Sequence, residues 1–253
     1  MSDMKAMHVL VTRPDPAGSE LCMRIREQGD LATHFPTIAF AEVADSVVFK
    51  DAIEKAGIQD WLIFISPKAV TASVPSLRAR WPQLPPNTQF AAVGAGTAKA
   101  LKAAGYVAAV VPETDWSTEG LMATPAFSAI QGKRVAIVRG EGGRELLEVM
   151  LKQRGALVSH IVAYRRELPA VTAAAKRALL AQLPLDVILC GSYEAVNNLK
   201  ILLGAEGWPL IKNTPVVVMS ERIKNLARDL GFQTIWVTRD LITGIEHVRS
   251  NKK

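Results

Sequence analysis

Short apolar runs alternate with longer amphipathic segments along the whole chain. The runs are rich in β-branched residues and too short for helices, which is typical of buried strands, whereas the longer segments repeat apolar residues at helical spacing. The predicted strands lie at 8–12, 31–35, 61–65, 90–93, 107–111, 134–138, 156–161, 187–190, 216–219 and 234–237. Regular alternation of continuously apolar strands with helices predicts an α/β protein whose parallel sheets are covered on both faces.

Residues that cap helices stand where these segments begin and end. Asp15 precedes Pro16, and we expect Asp15 to be the N-cap with the proline at the first helical position. Ser66 and Pro67 repeat the arrangement after another strand. Gly155 follows a predicted helix at the position where a left-handed residue commonly ends one. The predicted elements are therefore bounded by local signals as well as by hydrophobic pattern.

Identical residues recur at a constant separation, so that Arg139 follows Arg13 by the same interval as Ser192 follows Ser66, namely 126 positions. The other pairs at this spacing are Gly29/Gly155, Leu31/Leu157, His34/His160, Asp60/Asp186, Ala69/Ala195, Val70/Val196 and Gly105/Gly231. So many matches in one register indicate a gapless duplication and two similar domains of about five strands each. The repeat alone also permits a simple division of the chain near residue 126.

Composition narrows the class of protein. The 253 residues are 49% hydrophobic, enough for one large domain or two small ones. No apolar run approaches the roughly 20 residues that a membrane span requires. Residues 1–7 are short and polar, without a signal-peptide core. The two cysteines, Cys22 and Cys190, have no metal-binding spacing, and we expect a soluble, cytoplasmic protein.

The net charge of +6 is a mild excess of basic residues. It favours an anionic partner, but an ordinary mixed, solvated surface explains it equally well. Lysines and arginines are dispersed, and no basic run interleaved with aromatic residues is present. A nucleic-acid partner is therefore not expected.

The turns from strands into helices are the candidate binding sites. In parallel sheets, ligands bind beyond the carboxyl ends of the strands, where helix N-termini offer free N–H groups suited to carboxylates. Such turns follow or contain Arg13, Ser66, Gly94, Arg139 and the residues after Cys190 and Met219. Each turn taken singly is more often an ordinary helix cap than a ligand site.

Several common catalytic motifs are missing. The glycines from Gly140 to Gly143 lack both the dinucleotide-binding spacing and the G-K-[ST] ending of a P-loop, and no G-x-S-x-G sequence surrounds Ser66 or Ser192. Lys68 lies early in a predicted helix and is interpreted as solvated. Tyr164, in a charged extended segment, is interpreted either as an amphipathic packing residue or as a polar group at a site.

Six short motifs together carry a family resemblance. They are T-R-P at 12–14, F-x-S-x-x-A-V at 64–70, V-G-x-x-T-A at 93–98, R-G-x-G-G-R-E at 139–145, Y-R-R at 164–166 and S-x-x-A-x-x-N-L at 192–199. Each is degenerate alone, but in this order and spacing, over nearly the whole chain, the sequence resembles the uroporphyrinogen-III synthase family.

The resemblance implies two similar doubly wound, flavodoxin-like parallel-sheet domains joined by two extended linkers. One domain is expected to be discontinuous, formed by 1–35 with 170–253, and the other to span 45–161. The linkers are then 36–44 and 162–169. Both leave the second strand of a repeat, as this arrangement requires.

The resemblance also implies a lyase that needs no cofactor or metal. The family converts the linear tetrapyrrole hydroxymethylbilane into uroporphyrinogen III, with loss of water, ring closure and inversion of ring D, typically as a monomer. Tyr164 is then the candidate general acid. The residues that then bind the eight carboxylates of the substrate, with neighbouring N–H groups, are Arg13, Ser66, Gly94, Thr97, Arg139, Ser192 and Ser220.

Glu221 and Arg222 depart from the small hydroxyl residues that the family often has after Ser220. The alternative interpretation of the chain is a non-enzymatic two-domain module that closes on an anionic small molecule. Such a module needs the same carboxylate-binding turns but has no use for Tyr164.

Overall fold

The structure is a computed structural model and describes residues 5–83, 85–142 and 145–251. The chain divides into two compact units, one formed by Met1–Ala39 with Glu167–Lys253 and the other by Phe40–Arg166. The chain therefore passes from one unit to the other twice.

The strands, in chain order, are β1 (His8–Val11), β2 (Leu31–His34), β3 (Ala39–Glu42), β4 (Trp61–Phe64), β5 (Gln89–Ala92), β6 (Arg134–Gly140), β7 (Leu157–Glu167), β8 (Val187–Cys190), β9 (Val216–Val218) and β10 (Ile235–Val237). The α-helices are α1 (Ala17–Glu27), α2 (Val47–Glu54), α3 (Pro67–Arg80), α4 (Ala95–Ala103), α5 (Thr118–Ala123), α6 (Leu146–Gln153), α7 (Ala173–Leu180), α8 (Tyr193–Ile211, kinked at Gly204), α9 (Glu221–Asp229) and α10 (Leu241–Ser250). None of the helices in the described ranges is long and apolar enough to cross a membrane.

The first unit contains a parallel sheet in the order β10-β9-β8-β1-β2. Numbered within the unit, this is the flavodoxin-like order 2-1-3-4-5. Val9 lies opposite Ala32 of β2 on one side and Val187 of β8 on the other. The strand order therefore reverses direction between β1 and β8.

The second unit contains a sheet in the order β3-β7-β6-β4-β5, with β7, β6, β4 and β5 parallel. Its reversal lies between β4 and β6, where Ile63 is opposite Ile137. The edge position is filled by β3, which comes first in sequence. Two similar doubly wound α/β sheets thus confirm the predicted fold class.

Alternate residues of each strand face different cores. Leu10 and Ile188 belong to one cluster of the first unit, while Val9 and Val187 belong to another. The second unit repeats this with separate clusters that contain Leu62 and Ile63. Because successive strand residues point to opposite faces, each sheet is buried on both sides.

The 126-residue repeat is visible in the elements. A shift of 126 carries β1 onto the start of β6, β2 onto β7, β4 onto β8 and the start of α3 onto that of α8. The first unit therefore joins the opening strands of one copy, β1 and β2, to β8 and β9 of the other copy. A division of the chain at residue 126 does not yield a compact unit.

Two local predictions differ from the structure. Residues 107–111 form no strand but one isolated bridge, between Ala91 and Val110, and Val107 at the start of the segment is 80% accessible. Pro16, not Asp15, occupies the N-cap position, and Asp15 instead accepts a hydrogen bond from the Ser19 backbone N–H at 3.1 Å.

The extended segments 36–44 and 162–169 contain both points at which the chain passes between the units. Much of each segment is paired as a strand, as β3 and as the second half of β7. The long pairing of β7 continues past an irregularity between Arg139 and Gly140, after which Gly140 lies opposite Tyr164.

Candidate functional site

Four of the predicted site residues lie at the carboxyl ends of the strands that flank the reversals of strand order, whereas Gly94 and Thr97 follow β5 and Ser220 follows β9. Arg13 and Ser192 follow β1 and β8 in the first unit. Ser66 follows β4 and Arg139 lies near the end of β6 in the second unit. This edge is where ligands bind in open α/β sheets, because loops on either side of the reversal diverge and leave a crevice.

Three serines begin helices with the same geometry. Ser66, Ser192 and Ser220 have extended backbones, and each side-chain oxygen accepts a backbone N–H three residues on, at 3.1, 3.1 and 3.4 Å respectively. Gly94 occupies the same position before α4 without a side chain. Each serine keeps its own O–H to donate, next to the positive end of a helix.

The N-termini of α3 and α4 are adjacent. A Cβ added at Gly96 would lie 3.7 Å from Cγ of Pro67, and neither helix carries an acidic residue in its first turn. Thr97, in the first turn of α4, is only 4% exposed. Two adjacent positive helix ends without an acidic side chain make this part of the edge suitable for an anion.

Tyr164 lies on β7 with its ring in a core cluster of the second unit and is only 3% exposed. Its hydroxyl is 3.2 Å from Oγ of Ser66, and either oxygen can be the donor. Phe40 of β3 packs edge to face on the ring, with centroids 5.3 Å apart and planes at 88°. The tyrosine is therefore a packed residue whose polar tip reaches the start of α3.

Position 140 requires a glycine, because the Tyr164 ring lies too close to the Gly140 backbone to leave room for a side chain. A Cβ at Gly140 would lie 2.5 Å from both Cε2 and Cζ of Tyr164 and 3.0 Å from its hydroxyl oxygen. The backbone N–H of Glu141 also donates to the Tyr164 carbonyl at 2.8 Å. The glycine turn and the tyrosine thus hold each other in place.

Arg139 turns inward. The residue is 7% exposed, and its Nε donates to the Gly140 carbonyl at 3.3 Å while Nη2 donates to the Gly142 carbonyl. Its side chain makes no ion pair with another described residue. The guanidinium therefore fixes the shape of the turn after β6, whose next residues, Gly143 and Arg144, lie outside the described residues.

In the first unit, Arg13 is exposed and its carbonyl oxygen lies 2.8 Å from Nε2 of His34. Thr12 is buried and donates to the Leu189 carbonyl at 2.7 Å, with Sγ of Cys190 at 3.7 Å. Burial raises the pKa of the Cys190 thiol to about 12. A thiol with such a pKa stays protonated at neutral pH and does not act as a nucleophile.

Phe40 is a site residue that sequence reasoning missed. Its place against Tyr164 depends on where β3 joins the sheet, and nothing in the local sequence signals that pairing.

Within the described ranges, no three His, Cys, Asp or Glu side chains are placed to hold a metal ion. The polar groups gathered at the edge of the second sheet are hydroxyls, backbone amides and the side chains of Lys68 and Arg139.

Two doubly wound sheets, each with hydroxyl- or glycine-capped helices at its carboxyl edge, define a two-unit α/β protein whose helix starts suit anionic groups. Residues 19–240 match the family model described as uroporphyrinogen-III synthase HemD. The chain belongs to the uroporphyrinogen-III synthase family, whose members are cyclising lyases.

Similar proteins agree with this assignment. The uroporphyrinogen-III synthase of Escherichia coli K12 is 34% identical over 237 residues, covering 91% of this chain and 94% of that protein. The Salmonella typhimurium LT2 protein of the same name is 32% identical with the same coverage. A non-enzymatic module is not favoured by these relatives.

Solved structures agree in fold. The Helicobacter pylori 26695 uroporphyrinogen-III synthetase superposes with a TM-score of 0.67 at 16% identity, covering 97% of this chain and 99% of that one. A mutant uroporphyrinogen III synthase from Thermus thermophilus gives 0.59 at 19% identity, covering 98% and 100%. At these identities the likeness concerns the fold alone.

Proposed function

We propose that the protein converts hydroxymethylbilane into uroporphyrinogen III, closing the ring with loss of water and inverting ring D. The observation that carries this proposal is the match to one synthase family over residues 19–240. The contact between Tyr164 and Ser66 supplies a hydroxyl pair at the edge where a ligand is expected.

Tyr164 is proposed as the general acid. Ser66 already accepts the Ala69 N–H, and its own O–H is free to donate to the Tyr164 oxygen. The phenol proton is then available for the hydroxyl that leaves the substrate as water when its C–O bond breaks. The pyrrole carbon that closes the ring loses a proton, which restores the phenol and balances the step. Electron-rich pyrroles stabilise the cation, so positioning and one proton transfer suffice.

The carboxylates of the substrate are proposed to bind the helix starts in each unit. In the second unit these are Ser66, Gly94 and Thr97, with Arg139 holding the neighbouring glycine turn. In the first unit they are Arg13, Ser192 and Ser220. Charge-assisted hydrogen bonds from hydroxyls, backbone N–H groups and arginine suit carboxylates without a cofactor or metal.

We also propose that the protein acts in the cytoplasm as a monomer and has no nucleic-acid partner, which the dispersed basic residues support. The domain organisation proposed is 1–35 with 170–253, and 45–161, with linkers at 36–44 and 162–169.

The test of this function uses freshly prepared hydroxymethylbilane. We expect the protein, without added metal or cofactor, to shift the product from the spontaneous type I isomer to type III. The isomers are separated after oxidation to uroporphyrins. If folded protein yields only type I, the proposed activity is wrong.

Removing the Tyr164 hydroxyl is expected to slow the chemical step. General-acid assistance is typically worth about 10²- to 10⁴-fold, and because the substrate cation forms readily we expect Tyr164→Phe to cost about 10²-fold or less. Single-turnover rates at saturating substrate measure this separately from binding.

Tyr106→Phe is the matched control, because it removes the same atom from another tyrosine that packs against the same core cluster. It should turn over at the wild-type rate. Should Tyr164→Phe also react at the wild-type rate while its melting temperature falls, Tyr164 is a packing residue and the proposed acid is wrong.

A further inference from the structure

Lys68 lies beside the proposed acid. Its Nζ is 5.6 Å from the centroid of the Phe40 ring, and Phe40 in turn packs edge to face on Tyr164. Lys68 is partly buried and stands in the same first turn of helix as the cap Ser66, whose Oγ contacts the Tyr164 hydroxyl. A cation, an aromatic ring and the hydroxyl pair therefore lie next to one another in the second unit.

The charge of Lys68 is unusual for its position. It is the second residue of α3, where the positive end of the helix disfavours a cation, and α3 has no acidic residue in its first turn. No carboxylate among the described residues pairs with Lys68. The Phe40 ring offers a cation–π contact, but the positive charge is otherwise left without a counter-ion.

The internal repeat shows the ordinary alternative. The residue 126 positions after Lys68 is Glu194, in the first turn of α8, where an acidic side chain complements the helix dipole. The helices α1 and α9 of the same unit also carry an acidic residue in the first turn, Glu20 and Glu221. The second unit thus has a cation where its counterpart has an anion, at the helix start that touches Tyr164.

We propose that Lys68 binds a carboxylate of the substrate next to Tyr164. This rests on the proposed function. A residue that locally opposes the helix dipole is explained if an anion occupies the site during turnover, since proteins tend to break local rules at functional sites. Lys68 supplies charge for binding and does not take part in proton transfer.

The test replaces Lys68 by glutamine and measures KM and kcat for type III formation. We expect Lys68→Gln to raise KM about tenfold with kcat within about twofold of wild type, because uniform binding is lost without a change at the reacting atoms. Lys68→Arg keeps the charge and should restore most of the affinity. The difference between Lys68→Gln and wild type should shrink as salt is raised.

Stability distinguishes this role from a structural one. Loss of the unfavourable charge at the helix start should leave the melting temperature of Lys68→Gln equal to that of wild type or up to about 3 °C higher. A residue that merely supported the fold would lower the melting temperature when replaced.

Lys102→Gln is the matched control, because it removes the same charge from an exposed lysine in the last turn of α4, away from the sheet edge. Its KM should match that of wild type. The proposal is overturned if Lys68→Gln keeps a KM within about twofold of wild type, or if Lys102→Gln raises KM equally. Failure of the wild-type protein to form type III product overturns the proposed function instead.

Discussion

Replacing Asp30 by alanine is expected to destabilise the first unit by about 3 kcal/mol, because it breaks a buried ion pair. The Asp30 side chain is only 2% exposed; one oxygen accepts the Met7 backbone N–H at 2.9 Å, and the other accepts from Nη2 of Arg249 in α10. Alanine leaves the N–H unpaired and the partly buried guanidinium without its main counter-ion. Unfolding in urea and by calorimetry measures the change, and for a chain of this size about 3 kcal/mol corresponds to roughly 6–12 °C.

Glu246 offers a matched control on the same arginine. It also accepts from Nη1 of Arg249, at 2.9 and 3.2 Å, but is about half exposed. Glu246→Ala should therefore cost no more than about 1 kcal/mol. Replacing both partners, as Asp30→Ala with Arg249→Met, should recover part of the loss, because the only charge left without its partner is the half-exposed carboxylate of Glu246. Equal costs for Asp30→Ala and Glu246→Ala would show that burial does not strengthen this pair.

The alternation of strands and helices was predictable because it depends on local pattern. Continuous apolar runs such as 187–190 are buried strands, and Ser66 and Ser192 cap helices as their sequence context indicates. The constant spacing of the repeat predicted two similar sheets. The strand and cap signals depend on neighbours close in sequence, where propensity and capping decide the outcome.

Contacts between distant segments were not predictable in the same way. The paired length of β7 depends on its partner β6, and the packing of Phe40 on Tyr164 depends on β3 joining the same sheet. Arg139 stands in a sequence motif where an arginine is expected to bind the ligand. In the structure its guanidinium donates to the carbonyls of its own turn. Lys68 was interpreted from the sequence as solvated. Its contact with the Phe40 ring could not be predicted, because it too depends on where β3 places Phe40.

Replacing Gly140 by alanine is expected to reduce type III formation by about 10²-fold. The new Cβ would lie 2.5 Å from two ring atoms of Tyr164, closer than any carbon contact allows. The ring can move only by disturbing its packing, because Phe40 contacts it and it belongs to the core cluster. Relief of the clash therefore displaces the ring, and with it the hydroxyl, from the contact with Ser66, and a displacement of about 1 Å in a positioned group can cost 10²-fold in rate. Overpacking should also lower stability by about 1–3 kcal/mol.

Gly191→Ala is the control for adding a methyl group at a sheet edge, since the nearest atom to its Cβ would be Sδ of Met219, at 3.6 Å. It should lose less than about threefold in rate, as an ordinary van der Waals contact implies.

Whether Gly140→Ala acts through Tyr164 is tested by combining it with Tyr164→Phe. If Gly140→Ala acts by displacing the hydroxyl, the double variant should be little slower than Gly140→Ala alone, because the two changes remove the same interaction. Additive losses would mean that the glycine turn contributes to catalysis independently of Tyr164.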